Sequence, residues 1–115
     1  TTHLCLEAAR QLHESHKIDS EIIDLRSLNP LDYNTITRSI VKTNKVLIMH
    51  EDKVFGGVGG EISAYIAENL FNHLDAPIMR VGATFTPVGF NRILEKAILP
   101  DTEKIAKKIV ELFNY

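Results

Sequence analysis

Apolar residues recur along the chain in two alternating patterns. Stripes with apolar residues three or four positions apart predict helices at the start of the chain, after Asp32, after a glycine-rich loop and after Asp101. Short apolar runs predict strands at residues 18–25, 46–49 and 78–81. Strands that alternate with helices are joined by right-handed crossovers and lie parallel to each other. The pattern therefore predicts an open α/β sheet.

Several predicted helices carry signals at their ends. A hydroxyl of Thr1 or Thr2 can cap the first helix, and Asp32 can cap the second. Asn44 can end the second helix in a left-handed conformation, and the third helix stops at Asp75, before Ala-Pro. The stripes assign the following residues to the core: Cys5, Ala8, Ala9, Leu12, Tyr33, Ile36, Ile40, Val41, Ile62, Ile66, Ala67, Leu70, Phe71, Leu74, Ile105, Ile109, Leu112 and Phe113.

The 115 residues are enough for one domain, spanning residues 1–115, and too few for two. Three strands are few for a sheet that is covered on both faces. The chain also opens on a helix, where an α/β unit opens on a strand. We therefore expect it to be part of a longer protein, with at least one strand before Thr1 and an unpaired strand edge where that strand is missing.

Composition narrows the classes of partner. The net charge is −2, so electrostatics indicate neither a nucleic acid nor an anionic membrane as a partner. No apolar run approaches the roughly 18–20 residues of a membrane span. Cys5 is the only cysteine, which excludes an intrachain disulfide and favours a reducing compartment.

A pair of polar residues, His50 and Glu51, follows the strand predicted at residues 46–49. This position is the carboxyl end of a strand, the edge at which open α/β sheets bind ligands. A His–Glu pair can carry out general acid–base chemistry. Because no nucleophile or second carboxylate stands in a recognisable motif nearby, hydrogen bonding that fixes the following loop is the favoured interpretation.

The loop after Glu51 contains four glycines: Gly56, Gly57, Gly59 and Gly60. Its backbone amides could hold an anion at the helix start, which makes a stand-alone nucleotide-binding domain one hypothesis. However, the loop is neither a G-x-G-x-x-G motif in the usual frame nor a P-loop. Glu61 places a carboxylate where a phosphate would sit, and the next strand offers Arg80 where a ribose would need an acidic residue. A tight turn that lets the helix pack closely on the sheet is favoured.

The histidines show no metal-ligand spacing beyond His13-x-x-His16. Without a third ligand, this pair is interpreted as a solvated helix end. Residue chemistry alone therefore gives no active site that we can name.

Taken as a whole, the chain resembles the C-terminal domain of the transketolase superfamily. It is most similar to the β subunit of thiamine-diphosphate-dependent 2-oxo acid dehydrogenases of the pyruvate or branched-chain type. The matching stretches occur in order over nearly the whole chain: L-C-L-E-A-A (4–9), E-I-I-D-L-R-S-L-N-P-L-D (21–32), V-L-I-M-H-E (46–51), G-G-V-G-G-E-I (56–62), L-D-A-P-I-M-R-V (74–81), T-P-V (86–88) and I-L-P-D (98–101). Transketolase itself, or a synthase of 1-deoxyxylulose phosphate, fits this spacing less well.

The resemblance implies a three-layer α/β/α fold with a mostly parallel, five-stranded sheet whose first two strands would precede Thr1. It also implies that thiamine diphosphate and magnesium lie between two other domains of the complete enzyme and that the family's catalytic histidine lies on the preceding domain of the β subunit. These 115 residues would then bind no cofactor themselves. The complete enzyme would oxidatively decarboxylate pyruvate or a branched-chain 2-oxo acid in a bacterial cytoplasm or a mitochondrial matrix.

The resemblance further implies an assembly and docking role. The domain would contact the α subunit and a second β subunit, and it would dock the acyltransferase core of the multienzyme complex. Carried over to this sequence, the docking acid is Asp75 and the terminal anchor is Tyr115 with its carboxylate, although Asp75 could simply end a helix. The sequence departs from the family at residues 52–55, where Ala-Pro commonly follows His-Glu, and at Phe85, where Asp is common. Because of the change at Phe85, an interface contact that the family makes through this loop does not carry over to this sequence.

Overall fold

The structure, a computed structural model, describes all residues from 1 to 115. Its elements, in chain order, are helix α1 (Thr2–His16), helix α2 (Tyr33–Thr43), strand β1 (Leu47–Lys53), helix α3 (Val58–Leu70), a 3₁₀ turn (Phe71–His73), strand β2 (Met79–Ala83), helix α4 (Arg92–Ile98) and helix α5 (Thr102–Phe113). None of these helices has both the length and the apolar character needed to cross a membrane.

The two strands form a parallel pair, as predicted. Leu47 lies beside Met79 and Met49 beside Val81, and the pairing becomes irregular before Lys53. The continuous apolar runs of both strands match a sheet that is covered on both faces.

Helices cover both faces of this sheet, which confirms the α/β/α arrangement. One cluster joins α2 and α3 to one face: Ile36, Ile40, Ile62, Ile66 and Leu70, with Val46, Ile48 and Ile78 packed against it. The other joins α1 and α5 to the opposite face: Ala8, Val81 and Ile105, with Leu47, Met49 and Ile109 packed against it. Successive side chains of β1 thus pack against opposite helix layers, because side chains alternate between the two faces of a strand.

The strand predicted at residues 18–25 is wrong as a paired strand. The segment runs without a helical turn or bend, and no strand pairs with it. Its only backbone hydrogen bonds are from Ile18 N to Leu12 O and from Ser27 N to Leu25 O. A ladder needs a neighbour about 4.8 Å away, but here an open groove separates the segment from β1.

The helix ends follow the predictions at α2 and α5, whereas α3 ends at Leu70, before the stop predicted at Asp75. Asp32 accepts a hydrogen bond from Thr35 N at 3.0 Å, and Asn44 is left-handed with φ 59°. Asp101 accepts from Lys104 N at 2.8 Å. Thr1 is the N-cap of α1, but its hydroxyl makes no capping bond, and only its carbonyl accepts from the first turn.

Five residues assigned to the core are exposed instead: Tyr33, Val41, Ala67, Phe71 and Phe113. Phe71 turns outward because α3 ends at Leu70 and a 3₁₀ turn follows, which changes the direction of the side chains. Val41 follows Ile40, which already faces α3, so its side chain points about 100° away around the helix. Phe113 is the last residue of α5 and is 53% exposed.

Candidate functional site

The side chain of His50 points from β1 toward the start of α3. Both of its ring nitrogens are buried and neither has a hydrogen-bond partner. Glu51 follows on the other side of the strand and is exposed. The prediction that His50 fixes the loop through hydrogen bonds is therefore wrong, and the ring packs against Gly57 and Gly59 instead.

Three glycines make room for this imidazole. A Cβ on Gly59 would lie 2.6 Å from Nε2 of His50, one on Gly57 would lie 2.7 Å from Cε1, and one on Gly82 would lie 3.1 Å from Cε1. Real Cβ atoms do not approach other atoms within 3.0 Å. The ring thus occupies a recess whose walls are glycine backbone from the loop, from α3 and from β2, which we call the glycine recess.

The other two loop glycines, Gly56 and Gly60, do not border the imidazole. Gly56 has φ 75°, a left-handed conformation that favours glycine, although a Cβ there would meet no other atom. A Cβ on Gly60 would make an ordinary contact of 3.4 Å with Nη1 of Arg80. The glycine at position 57 precedes the first helical residue, and the amide of Gly60 donates to its carbonyl at 3.0 Å.

The side chains near this loop do not assemble a metal site. No group of three or more His, Cys, Asp or Glu residues in the structure could hold a metal ion. Nδ1 of His13 lies 2.7 Å from a carboxylate oxygen of Asp19, and Nδ1 of His16 lies 2.7 Å from the Ser15 hydroxyl. These two histidines thus lie at a solvated helix end.

Asp75 and the end of α5 are attached to the same short connection. The amide of Asp75 donates to Asn44 O at 2.9 Å, and Nδ2 of Asn44 donates to His73 O at 2.8 Å. The next residue, Lys45, donates from Nζ to Phe113 O at 2.7 Å and lies 5.6 Å from the centre of that ring. Two consecutive residues between α2 and β1 therefore hold both predicted docking segments at one end of the molecule.

We call this region the candidate docking surface: Lys45, Asp75, Phe113 and Tyr115. Asp75 is exposed, and its carboxylate forms none of the ion pairs in the structure. Tyr115 is 71% exposed, and its amide donates to Leu112 O at 3.4 Å. Both side chains are thus free to meet another molecule.

The two departures from the family pattern contact each other. The rings of Phe55 and Phe85 meet edge to face with centres 5.0 Å apart, and Nζ of Lys53 lies 5.5 Å from the centre of the Phe85 ring. Both rings remain largely exposed, at 74% and 68%. We call these two residues the aromatic patch. Further exposed apolar side chains follow in the chain: Val88, Phe90, Ile93 and Leu94.

The residues whose pKa is shifted lie outside these regions. Hydrogen bonds from the side chain and the amide of Thr35 lower the pKa of Asp32, and the bond from the Lys104 amide lowers the pKa of Asp101. Burial raises the pKa of the Cys5 thiol. The two carboxylates are helix caps, so their lowered pKa values reflect the stabilisation of the helix ends and do not indicate catalysis.

Sequence reasoning missed two residues that shape these regions, Gly82 and Lys45. Gly82 lies within β2, where a glycine marks a close approach of other atoms, and this signal could have been used. Lys45 carries no such signal, because its role depends on where α5 ends in space.

The sequence model of one family, described as "Transketolase, C-terminal domain", matches residues 1–105. The β subunit of acetoin:2,6-dichlorophenolindophenol oxidoreductase from Bacillus subtilis is 43% identical over 95% of this chain and 32% of its own length. The pyruvate dehydrogenase E1 β subunit of Rickettsia felis is 38% identical over 97% of this chain and 34% of its own length. The mitochondrial 2-oxoisovalerate dehydrogenase β subunit of Dictyostelium discoideum is 42% identical over 96% of this chain and 29% of its own length.

Among solved structures, a "Split gene transketolase, inactive beta4 tetramer" superposes with a TM-score of 0.80. It is 24% identical to this chain and covers 98% of it, while this chain covers 35% of that one. At this identity the likeness concerns the fold. The chain spans about a third of the length of the curated relatives it matches.

Proposed function

The chain belongs to the family of transketolase C-terminal domains, and from this premise we propose that it is the assembly and docking domain of the β subunit of a thiamine-diphosphate-dependent 2-oxo acid dehydrogenase. The complete protein would oxidatively decarboxylate pyruvate or a branched-chain 2-oxo acid. The names of the relatives support this class, and one of them adds acetoin as a further candidate substrate. We place the complete protein in a bacterial cytoplasm or a mitochondrial matrix, in keeping with the sources of those relatives.

The residues present do not fit thiamine diphosphate and magnesium. The space beside the glycine loop is already filled by the imidazole of His50, and Glu61 lies in the first turn of α3. Carboxylate and histidine groups are not gathered into a metal-binding set. We propose that the catalytic steps belong to other parts of the complete protein and that the role of this domain is to bind its neighbours.

The observation that carries the proposal is the shared attachment of Asp75 and the end of α5 to Asn44 and Lys45. It supports the proposal that the exposed carboxylate of Asp75, which forms no ion pair, and the exposed Tyr115 act together. An interface that uses an unpaired carboxylate selects a basic group on its partner. The partner here would be the acyltransferase component, bound through a lysine or arginine opposite Asp75.

A second surface supports assembly with other subunits. The aromatic patch and the side chains of Val88, Phe90 and Ile93 are open to solvent. Aromatic residues are enriched where subunits meet, and apolar patches of this kind mark interfaces. We assign this surface to contacts with the α subunit and the second β subunit.

The test of docking is the binding of the complete protein to the acyltransferase component, measured by isothermal titration calorimetry. Asp75→Asn should weaken binding by about tenfold or more, because a charged interfacial hydrogen bond contributes about 1.5–3 kcal/mol and 1.4 kcal/mol is tenfold. Glu68→Gln removes the same charge from an exposed position of α3 and should leave binding unchanged. If Asp75→Asn and Tyr115→Ala both bind as the unmodified protein does, the docking proposal is wrong.

A further inference from the structure

Helix α4 lies outside the packed core of the domain. None of its seven residues is buried, and none belongs to either core cluster. An isolated helix shorter than about 12–15 residues is marginal in water, so α4 gains little stability from its own length. Contacts at its ends must therefore hold it in place.

The N-terminal end of α4 is held by a local cap. The side-chain oxygen of Asn91 accepts from the amide of Ile93 at 3.1 Å and from the amide of Leu94 at 2.9 Å. Both bonds lie within the first turn of the helix. They stabilise the helix but do not fix its direction relative to the sheet.

Three consecutive carbonyls at the C-terminal end of α4 are bound by other parts of the domain. The ammonium group of Lys104 donates to Ala97 O at 3.3 Å and to Leu99 O at 2.9 Å. Between them, Ile98 O accepts from Thr84 N, just after β2, at 3.1 Å. The last carbonyls of a helix have no partner within it. These bonds therefore fix where α4 ends relative to β2 and α5.

Lys104 stands where a lysine is unfavourable for its own helix. It lies in the first turn of α5, where the helix dipole disfavours a cation. Its ammonium group instead reaches the C-terminal carbonyls of α4, where the dipole favours a cation. The carboxylate of Asp101, which caps α5, lies 3.5 Å from the same ammonium. The position of this charge is thus explained by α4 rather than by α5.

The link between α4 and α5 allows α4 to change direction. Leu99 is extended, with φ −72° and ψ 152°, and Pro100 is buried. The residue before a proline is restricted to extended conformations, so α4 does not continue into α5. A rotation within the link would move α4 while α5 stays packed on the sheet. The bonds from Lys104 oppose such a rotation.

We propose that Lys104 is a positioning residue, which holds α4 in the orientation that presents its apolar side chains to the α subunit. Two of these side chains, Ile93 and Leu94, are 82% and 49% exposed. The inference rests on the proposed role of this surface in assembly. It adds that a contact from another helix keeps the surface in its binding orientation before the partner arrives.

Holding α4 in advance favours assembly. A binding surface that is correctly placed for only part of the time binds with an affinity reduced by that fraction. Without the Lys104 ammonium, the bond from Thr84 N still joins α4 to the end of β2, but two of the three carbonyls lose their donor. Misplaced orientations of α4 then become populated, and assembly weakens.

Hydrogen–deuterium exchange in the complete β subunit, without its α subunit, tests the contact. Lys104→Met removes the ammonium group and keeps most of the aliphatic stem. The amides of Glu95 and Leu99, which donate to α4 carbonyls or its cap at 3.0 and 2.9 Å, should exchange about 2–10 times faster. Lys107→Met removes the same charge from an exposed position of α5 and should leave both amides unchanged. Unchanged exchange in Lys104→Met would overturn the proposal.

Assembly with the α subunit is the second measurement. The dissociation constant, from fluorescence-detected sedimentation, should rise about 2–10-fold in Lys104→Met. Lys104→Arg keeps a cation with several donors at the same position and should restore most of the affinity. If α4 exchanges faster in Lys104→Met but assembly is unchanged, the lysine only supports the helix, and the proposal is overturned.

Ile93→Ala separates this inference from the proposed function on which it rests. The substitution removes apolar area from α4 and leaves the carbonyls that Lys104 binds in place. If Ile93→Ala weakens assembly and Lys104→Met does not, the surface is an interface and only the positioning role is wrong. If neither variant weakens assembly, the assignment of this surface to assembly is wrong as well. Both side chains are exposed, so both variants should fold, which circular dichroism checks.

Discussion

The imidazole of His50 occupies the space that a side chain at Gly59 would need, since a Cβ there would lie 2.6 Å from Nε2. Gly59 lies in the first turn of α3 and His50 in β1, so this contact sets how closely the helix approaches the strand. At Gly57 the same ring and the Lys53 carbonyl leave no room for a Cβ, and at Gly82 the Asp52 carbonyl leaves none. The glycine recess thus links strand, loop and helix through packing.

Gly59→Ala should destabilise the protein by about 1–3 kcal/mol, because it forces an added methyl group into a filled space. A second substitution, His50→Ala, should reduce that cost, since it removes the ring that the methyl group meets. The free energy of unfolding of the four variants, measured by chemical denaturation, gives the coupling between the two positions.

Gly60→Ala is the matched control for the glycine recess. Its added methyl group would make only an ordinary contact with Arg80, at 3.4 Å. Alanine also favours a helix over glycine by up to about 1 kcal/mol, so this variant should be neutral or more stable. Equal losses of stability in Gly59→Ala and Gly60→Ala would contradict the assignment of the recess.

Much of the fold could be predicted from the sequence because the apolar patterns are local. The stripes that contain Ile36, Ile62 and Ile105 identified helices, and the apolar runs identified β1 and β2. Residues 18–25 were predicted as a strand on the same kind of pattern, yet a paired strand also needs a neighbour, and no local pattern contains that information. The prediction failed for this reason, although the segment does border the sheet.

The candidate site was less predictable. The sequence singled out His50 and the glycines but could not show that the ring fills the space beside Gly59, because this depends on the distance between β1 and α3. Nor could it show that Lys45 joins the end of α5 to the segment of Asp75. The roles of Asp75 and Tyr115 came from the resemblance, and they remain predictions.

The capping aspartates predict how stability depends on pH. Hydrogen bonds hold the pKa of Asp32 and Asp101 below the ordinary value of 3.8 in the folded protein. Each carboxylate therefore stabilises the fold above about pH 3.8, and this contribution is lost as the pH falls through the lowered pKa. Unfolding curves measured between roughly pH 2 and pH 6, a range that spans the titration of an aspartate, should show this loss of stability.

Substitution by asparagine isolates this effect, because asparagine also caps helices but does not titrate. Asp101→Asn should flatten the acid limb of the stability profile, whereas Asp101→Ala should cost about 1 kcal/mol near neutral pH through the lost cap. The titration itself contributes less than the cap, since the aspartate is 40% exposed and solvent screens its charge. If Asp101→Asn and the unmodified protein lose stability in parallel below pH 4, the cap does not titrate as described.

The domain should not bind thiamine diphosphate and magnesium by itself. The imidazole of His50 fills the glycine recess, and no set of side chains is arranged for a metal ion. Titration calorimetry of the purified 115-residue chain should show no binding heat, with circular dichroism to establish that the sample is folded. A complete thiamine-diphosphate enzyme under the same conditions provides the positive control, and micromolar binding to the chain would contradict its assignment as a docking domain.

Lys45→Met should loosen the end of α5 while leaving Asp75 in place. The substitution keeps most of the aliphatic stem but removes the ammonium group that donates to Phe113 O at 2.7 Å. A hydrogen bond of this kind contributes about 0.5–1.5 kcal/mol, so the amides of Asn114 and Tyr115 should exchange with deuterium about 2–10 times faster. Lys107→Met removes the same charge from an exposed position on α5 and should leave this exchange unchanged. Equal exchange at Asn114 and Tyr115 in the two variants would mean that Lys45 does not hold the candidate docking surface together.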